Sequence, residues 1–108
     1  MADQWIDAGE AAAITQEDVA RFDLGARTFA LYRTKDDRYY ATDGLCTHAK
    51  VHLAGGFVHD QLIECPKHNG RFNFTTGQAM GAPVCVNLKT YPTKVEAGRL
   101  LVNIAAGA

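Results

Sequence analysis

Apolar and polar residues alternate over short stretches of this chain, and turn-forming residues break the alternation every few positions, a pattern that predicts short β-strands. From Thr28 to Tyr32, Phe29 and Leu31 alternate with smaller or polar neighbours. Lys35-Asp36-Asp37-Arg38 then makes a polar turn before Tyr39-Tyr40-Ala41-Thr42, which predicts a hairpin. A second hairpin is predicted near the C-terminus. There Tyr91, Thr93 and Val95 alternate with Lys94 and Glu96, Ala97-Gly98 supplies a turn, and Leu100, Val102 and Ile104 follow. Helical signals are scarce: Ile14 to Ala20 fits either a helical turn begun at Thr15, with Asp18 at capping-box spacing, or a short polar loop. Trp5, Phe22, Phe29, Leu31, Phe72 and Phe74 are expected to pack in the core or beneath loops. The expected architecture is all-β, an antiparallel β-sandwich base built from the N- and C-terminal segments and topped by a smaller, loop-rich part spanning about residues 44–83.

At 108 residues, 47% apolar and 21% charged, the chain is expected to form one domain over residues 1–108. No run approaches the roughly 20 apolar residues of a membrane span. The opening MADQWIDAGEAAAITQEDVA is acidic and lacks the basic start of an export leader, so a cytoplasmic location is expected, with no membrane partner. A net charge of −1 argues against nucleic acid as a partner. The charge is nevertheless uneven. Residues 1–43 hold nine acidic and five basic side chains, and residues 44–108 hold three acidic and six basic ones.

Residues 44–83 hold six of the ten glycines, two of the three prolines, all four histidines and two of the three cysteines. Local propensity would not order such a segment, so something else must hold it. An odd cysteine count without an export signal favours metal or redox chemistry over a disulfide framework. Cys46-Thr47-His48 and Cys65-Pro66-Lys67-His68 give the spacing C-x-H-x16-C-x2-H. Residues two apart on an extended loop project to the same side, and a Cys-Pro turn brings Cys65 near His68, so four soft or borderline ligands can converge. Two thiolates and two imidazoles would suit tetrahedral zinc, but structural zinc fingers usually pair their cysteines closely and set their histidines on a helix. One Cys and one His from each loop better suit a [2Fe–2S] centre whose two irons are ligated differently.

CTHAKVHLAGG and ECPKHNGRFNFTTG resemble the two cluster-binding loops of Rieske [2Fe–2S] proteins. GQAMGAPVCVNLKTYPTKV resembles the segment after the second loop in small Rieske ferredoxins, including those of rhizopine catabolism and of aromatic-ring dioxygenases. The resemblance implies the Rieske fold and one [2Fe–2S] cluster, with Cys46 and Cys65 on the inner iron and His48 and His68 on the outer. It implies a monomeric one-electron carrier, itself no enzyme, that serves aromatic hydrocarbon catabolism. Electrons would come from an NAD(P)H-dependent ferredoxin reductase and go to a terminal oxygenase, either Rieske non-haem iron or diiron. Respiratory members of the family have an additional Cys in each loop, joined as a disulfide; here those positions are Val51 and Lys67. Their cluster-facing Ser and Tyr are replaced by Gly70 and Phe72, which implies a reduction potential near the low end of the roughly −150 to +300 mV Rieske range. Pro83 resembles the proline of the loop that covers the cluster.

No further metal triad can be assembled for catalysis, and His52 and His59 are expected to be ordinary loop histidines. Cys85 is expected to be a small buried hydrophobe. Lys50, Lys67 and Arg71 flank the ligands and would suit a partner with an acidic surface. Two other readings remain open from the sequence: a structural zinc module, and the small subunit of a nitrite reductase.

Overall fold

The computed structural model describes residues 3–67, 69–82 and 86–107. Four strands come first: β1 (Trp5–Glu10), β2 (Asp18–Leu24), β3 (Arg27–Arg33) and β4 (Tyr39–Asp43). Three short strands follow, β5 (Phe57–His59), β6 (Leu62–Glu64) and β7 (Arg71–Asn73), and β8 (Thr90–Tyr91), β9 (Thr93–Glu96) and β10 (Arg99–Asn103) complete the set. They form three antiparallel sheets with strand orders β1-β10-β9, β2-β3-β4-β8 and β5-β6-β7.

Both expected hairpins are present. β3 and β4 pair from Phe29↔Asp43 to Arg33↔Tyr39, and β9 and β10 pair from Glu96↔Arg99 to Thr93↔Val102. The second turn leaves two residues between paired positions, and both are left-handed, Ala97 at φ 50° and Gly98 at φ 77°. That is the geometry whose twist matches the flanking strands, and glycine adopts it at little cost whereas Ala97 does not. Of the two readings of Ile14 to Ala20, the helical turn from Thr15 does not form, and a short turn leads into a strand. Ala11–Ala13 is a single 3-10 turn, and Asp18 opens β2, which pairs with β3 without a break from Asp18↔Arg33 to Leu24↔Arg27. Seven cross-strand pairs outweigh one weak local capping signal.

β3 lies at the centre of the molecule because both its faces are covered. Phe29 and Leu31 face one core with Ala41, Tyr91, Leu100 and Val102, which joins the central sheet to the sheet of the two chain ends. Ala30 and Tyr32 face the other core, with Ile63, Phe72, Phe74 and the two cysteines Cys46 and Cys65. Strand alternation explains the split: successive side chains of β3 point to opposite sides, and all four of these are buried. Tyr32 is fully buried, stacks on Phe74 with ring centroids 4.4 Å apart, and pairs its hydroxyl with Thr42 Oγ1 at 2.9 Å. Burial holds its hydroxyl far above the usual tyrosine range.

The segment expected to be loop-rich contains a three-stranded sheet of its own. Val58, Ile63 and Phe72 turn inward from β5, β6 and β7 onto the second core. Of the aromatic residues expected to pack, Phe29, Phe72 and Phe74 are buried, while Trp5 and Phe22 are half-buried. No helix among the described residues is long and apolar enough to cross a membrane.

Candidate metal centre

The first loop leaves β4 at Asp43 and returns at Leu53 through a closed set of backbone bonds. Leu53 N–H donates to the Gly44 carbonyl at 2.8 Å, Cys46 N–H to Val51 at 2.9 Å, and Lys50 N–H to Cys46 at 3.0 Å. The second loop connects β6 to β7 with a matching closure, Cys65 N–H donating to the Gly70 carbonyl at 2.7 Å. In each case the cysteine N–H reaches the carbonyl five residues on. In each the residue before that carbonyl is left-handed, Lys50 at φ 57° and Asn69 at φ 57°. The cysteines thus stand at the closed root of both loops, with His48, Lys50, Pro66, Lys67 and Asn69 exposed beyond them.

Cys46 and Cys65 are 1% and 0% exposed, carry no disulfide, and lie in the same core, near enough for Cys46 to act on the Cys65 thiol. Burial pushes the Cys65 thiol up, with Cys46 adding to the rise, while the Lys67 backbone N–H, which bonds to the sulfur, and the Lys67 ammonium oppose it. Two buried thiols with a backbone donor aimed at one of them form a donor set that gains most from a cation between them, since metal binding replaces the protons that burial would otherwise retain. His48 is exposed on the first loop, two residues beyond Cys46. The expected ligand His68 lies outside the described residues, as do Pro83 and Cys85.

Contacts from outside the loops fix their positions. Thr47 Oγ1 donates to the Val86 carbonyl at 2.7 Å, which ties the first loop to the segment after residue 85. Asp43 N–H donates to Lys89, and the Asp43 carboxylate accepts from the Tyr91 hydroxyl at 2.5 Å. Burial, helped by Asp43, pushes Tyr91 up to about 12. Gly56 has no room for a side chain, because a Cβ there would lie 2.0 Å from the Glu64 carbonyl oxygen one residue before Cys65. This close approach brings the end of the first loop against the root of the second.

His52 is a loop histidine, as expected, and the structure adds that it caps its own loop. Its Nδ1 accepts from Ala54 N–H at 3.0 Å, which leaves the proton on Nε2, 2.9 Å from Thr28 Oγ1; Thr28 in turn donates to Asp23 at 2.5 Å. Burial and the nearby Arg21 hold the imidazole below its ordinary value of 6.5. His59 is exposed and lies 3.6 Å from Asp60. The sequence reading did not find the ties through Thr28, Asp23, Thr47 and Tyr91. Nothing local in the chain pairs Asp23 with His52 or Thr47 with Val86.

The sequence profile of the Rieske [2Fe-2S] domain matches residues 4–92. The ferredoxin component of the naphthalene 1,2-dioxygenase system of Pseudomonas aeruginosa is 41% identical over 105 residues, covering 97% of this chain and all of the relative. The Sphingomonas yanoikuyae B1 ferredoxin superposes with a TM-score of 0.86 at 29% identity, covering 93% of this chain and 98% of that one. A chain in the complex of reduced oxygenase and oxidised ferredoxin in carbazole 1,9a-dioxygenase superposes with a TM-score of 0.84 at 33% identity, covering 92% of both. With paired cysteine loops, an all-β fold and a profile match over most of its length, this chain belongs to the Rieske [2Fe–2S] domain family.

Proposed function

We propose that the chain is a one-electron carrier that takes electrons from an NAD(P)H-dependent ferredoxin reductase and delivers them to the terminal oxygenase of an aromatic-ring dioxygenase system. In this reading Cys46 and Cys65 hold one iron of a [2Fe–2S] cluster, and His48 and His68 hold the other. The chain works as a cytoplasmic monomer, a single domain whose cluster-binding part spans about residues 44–83. The relatives' role as ferredoxin components supports the carrier reading. The observation that carries the ligand assignment is the pair of free, buried thiols in one core at the roots of two loops with the same backbone closure.

When bound, the cluster supplies a centre that gains and loses one electron without rearranging bonds. The chain's own residues provide the surroundings. Cys46 and Cys65 offer two negative charges, which balance two ferric ions and two sulfides, and neutral imidazoles add none, so an incoming electron meets no prior negative charge. Burial of the two sulfurs under Leu53, Ile63 and Phe72 excludes water from the inner side, and the Lys67 N–H steadies the Cys65 thiolate. The exposed His48 gives a partner access from outside. Gly70 and Phe72 are both buried and offer no hydroxyl, which keeps the potential at the low end of the family's range.

The test is anaerobic purification followed by assay of iron and acid-labile sulfide, electron paramagnetic resonance of the reduced protein, and reconstitution with a reductase and an aromatic-ring oxygenase. Equal amounts of iron and sulfide, and electron delivery on mixing, are expected. Zinc without labile sulfide would overturn the reading.

A further inference from the structure

We propose that the end of the molecule carrying the two cysteine loops is a docking face for a protein whose own surface presents carboxylates around an apolar centre. The proposal rests on the carrier reading and adds the chemistry of the partner. It stands on how the ion pairs are distributed. Of the eleven Lys and Arg residues, Arg21, Arg33, Lys35, Arg38, Lys94 and Arg99 each lie within 4.0 Å of a carboxylate. Arg27, Lys50, Lys67, Arg71 and Lys89 have no ion pair among the described residues. Arg27 is held by the Tyr91 hydroxyl and the Ile104 carbonyl. Lys50, Lys67 and Arg71 are exposed on or directly beside the two loops. Six of the other eight cations have a carboxylate close by and Arg27 is held by neutral groups, whereas the three at the loops, like Lys89, are left to act outward.

Of the five large apolar side chains exposed among the described residues, all but Val95 on β9 lie on or beside this part of the chain. Leu45, Phe57, Met80 and Val86 are exposed, and Phe57 is the most open of them at 69%. Their positions follow from bonds already described and from strand register. Val86 is tied to Thr47; Met80 N–H donates to the Arg71 carbonyl at 2.9 Å; Phe57, Glu64 and Arg71 stand in one row across β5, β6 and β7. Phe, Met and Arg surrounded by polar residues is the composition of a protein-binding patch rather than of ordinary surface. Only Glu64 is acidic in that row. The chain as a whole carries −1, so the cationic field is local, and an acidic partner would be drawn to this end alone.

Two measurements test this on the holoprotein. The first is carbodiimide cross-linking to poly-L-aspartate at low ionic strength, with the intermolecular links mapped by mass spectrometry. Links at Lys50 and Lys67 should exceed those at Lys35 and Lys94 by at least about threefold; an even spread would overturn the proposal. The second follows oxidation of the reduced protein by hexacyanoferrate(III), in which one electron passes from the protein to the ferric complex. The rate constant should fall as salt rises, the sign for attraction of an anion, although the net charge of −1 alone would make it rise. In the Lys67→Glu/Arg71→Glu variant the slope should change sign, while Lys35→Glu/Lys94→Glu, with the same change in net charge, should keep it. A rising rate in the unmodified protein, or equal effects of the two variants, would also overturn the docking face. Failure of the carrier reading shows separately, as missing labile sulfide, and leaves the cross-linking result intact.

Discussion

The two cores on either side of β3 are built from the same strand and differ in what completes them. Towards the sheet of the chain ends, Phe29 and Leu31 meet Tyr91, Leu100 and Val102, with Phe29 and Tyr91 rings edge-to-face at 5.2 Å. Carbon fills that space, and no other group is needed to close it. Towards the loops, Ala30 and Tyr32 meet Ile63, Phe72 and Phe74, and also two buried cysteines. The first core is complete as a hydrocarbon interior; the second leaves a pair of thiols whose burial is relieved by a cation. One sheet therefore serves as scaffold on one face and as the floor of the proposed metal centre on the other.

Breaking the second core at its sulfurs should have the largest effect. Cys65→Ser should abolish bound iron and labile sulfide. Amide exchange should then quicken across residues 44–73 while the β1–β10 ladder stays protected; loss of protection throughout would show that the two cores are not separable. Next is Phe29→Ala, which empties a fully buried site in the carbon-filled core. It should cost about 3–5 kcal/mol in urea denaturation, with iron lost only as the whole molecule unfolds. A smaller loss, about 1 kcal/mol, is expected for Tyr32→Phe. The stack on Phe74 survives, and Thr42 still donates to the Asp43 carbonyl at 2.7 Å.

The pH effect nearest neutrality should arise on the loop side. His52 is held below its ordinary value of 6.5, so the unfolded chain takes up its proton more readily than the folded one. Its contribution to stability is complete above pH 6.5 and is lost as pH falls through the lower folded value. Denaturation midpoints measured from pH 8 downward should drop less in His52→Asn, since asparagine can still cap Ala54 without titrating. Parallel curves would count against the cap. The smallest effect is expected at Ala97, where asparagine tolerates the left-handed turn better. Ala97→Asn should raise stability by about 0.5 kcal/mol without altering iron content.

Legibility in the sequence followed the same division. Both hairpins could be read because alternation and turn residues act within a few positions. The cysteine loops could be read because their spacing is itself the chemistry. Tyr32 gave no sign of being fully buried, because burial on both faces of β3 depends on a sheet contributed by residues 57–73. That sheet was hidden too: three-residue strands between glycines look like loop until they pair. β2 was obscured by a local capping pattern at Thr15 and Asp18 that pairing with β3 overrode. The links from Asp23 and Thr28 to His52, and from Thr47 to Val86, join distant positions and have no local trace.

Both loops are closed by main-chain atoms, from cysteine N–H to a carbonyl five residues along. A substitution at the exposed Lys50 or Pro66 therefore alters what the surroundings meet without removing that fastening. Recognition can diverge among descendants of such a chain while the redox chemistry is inherited unchanged.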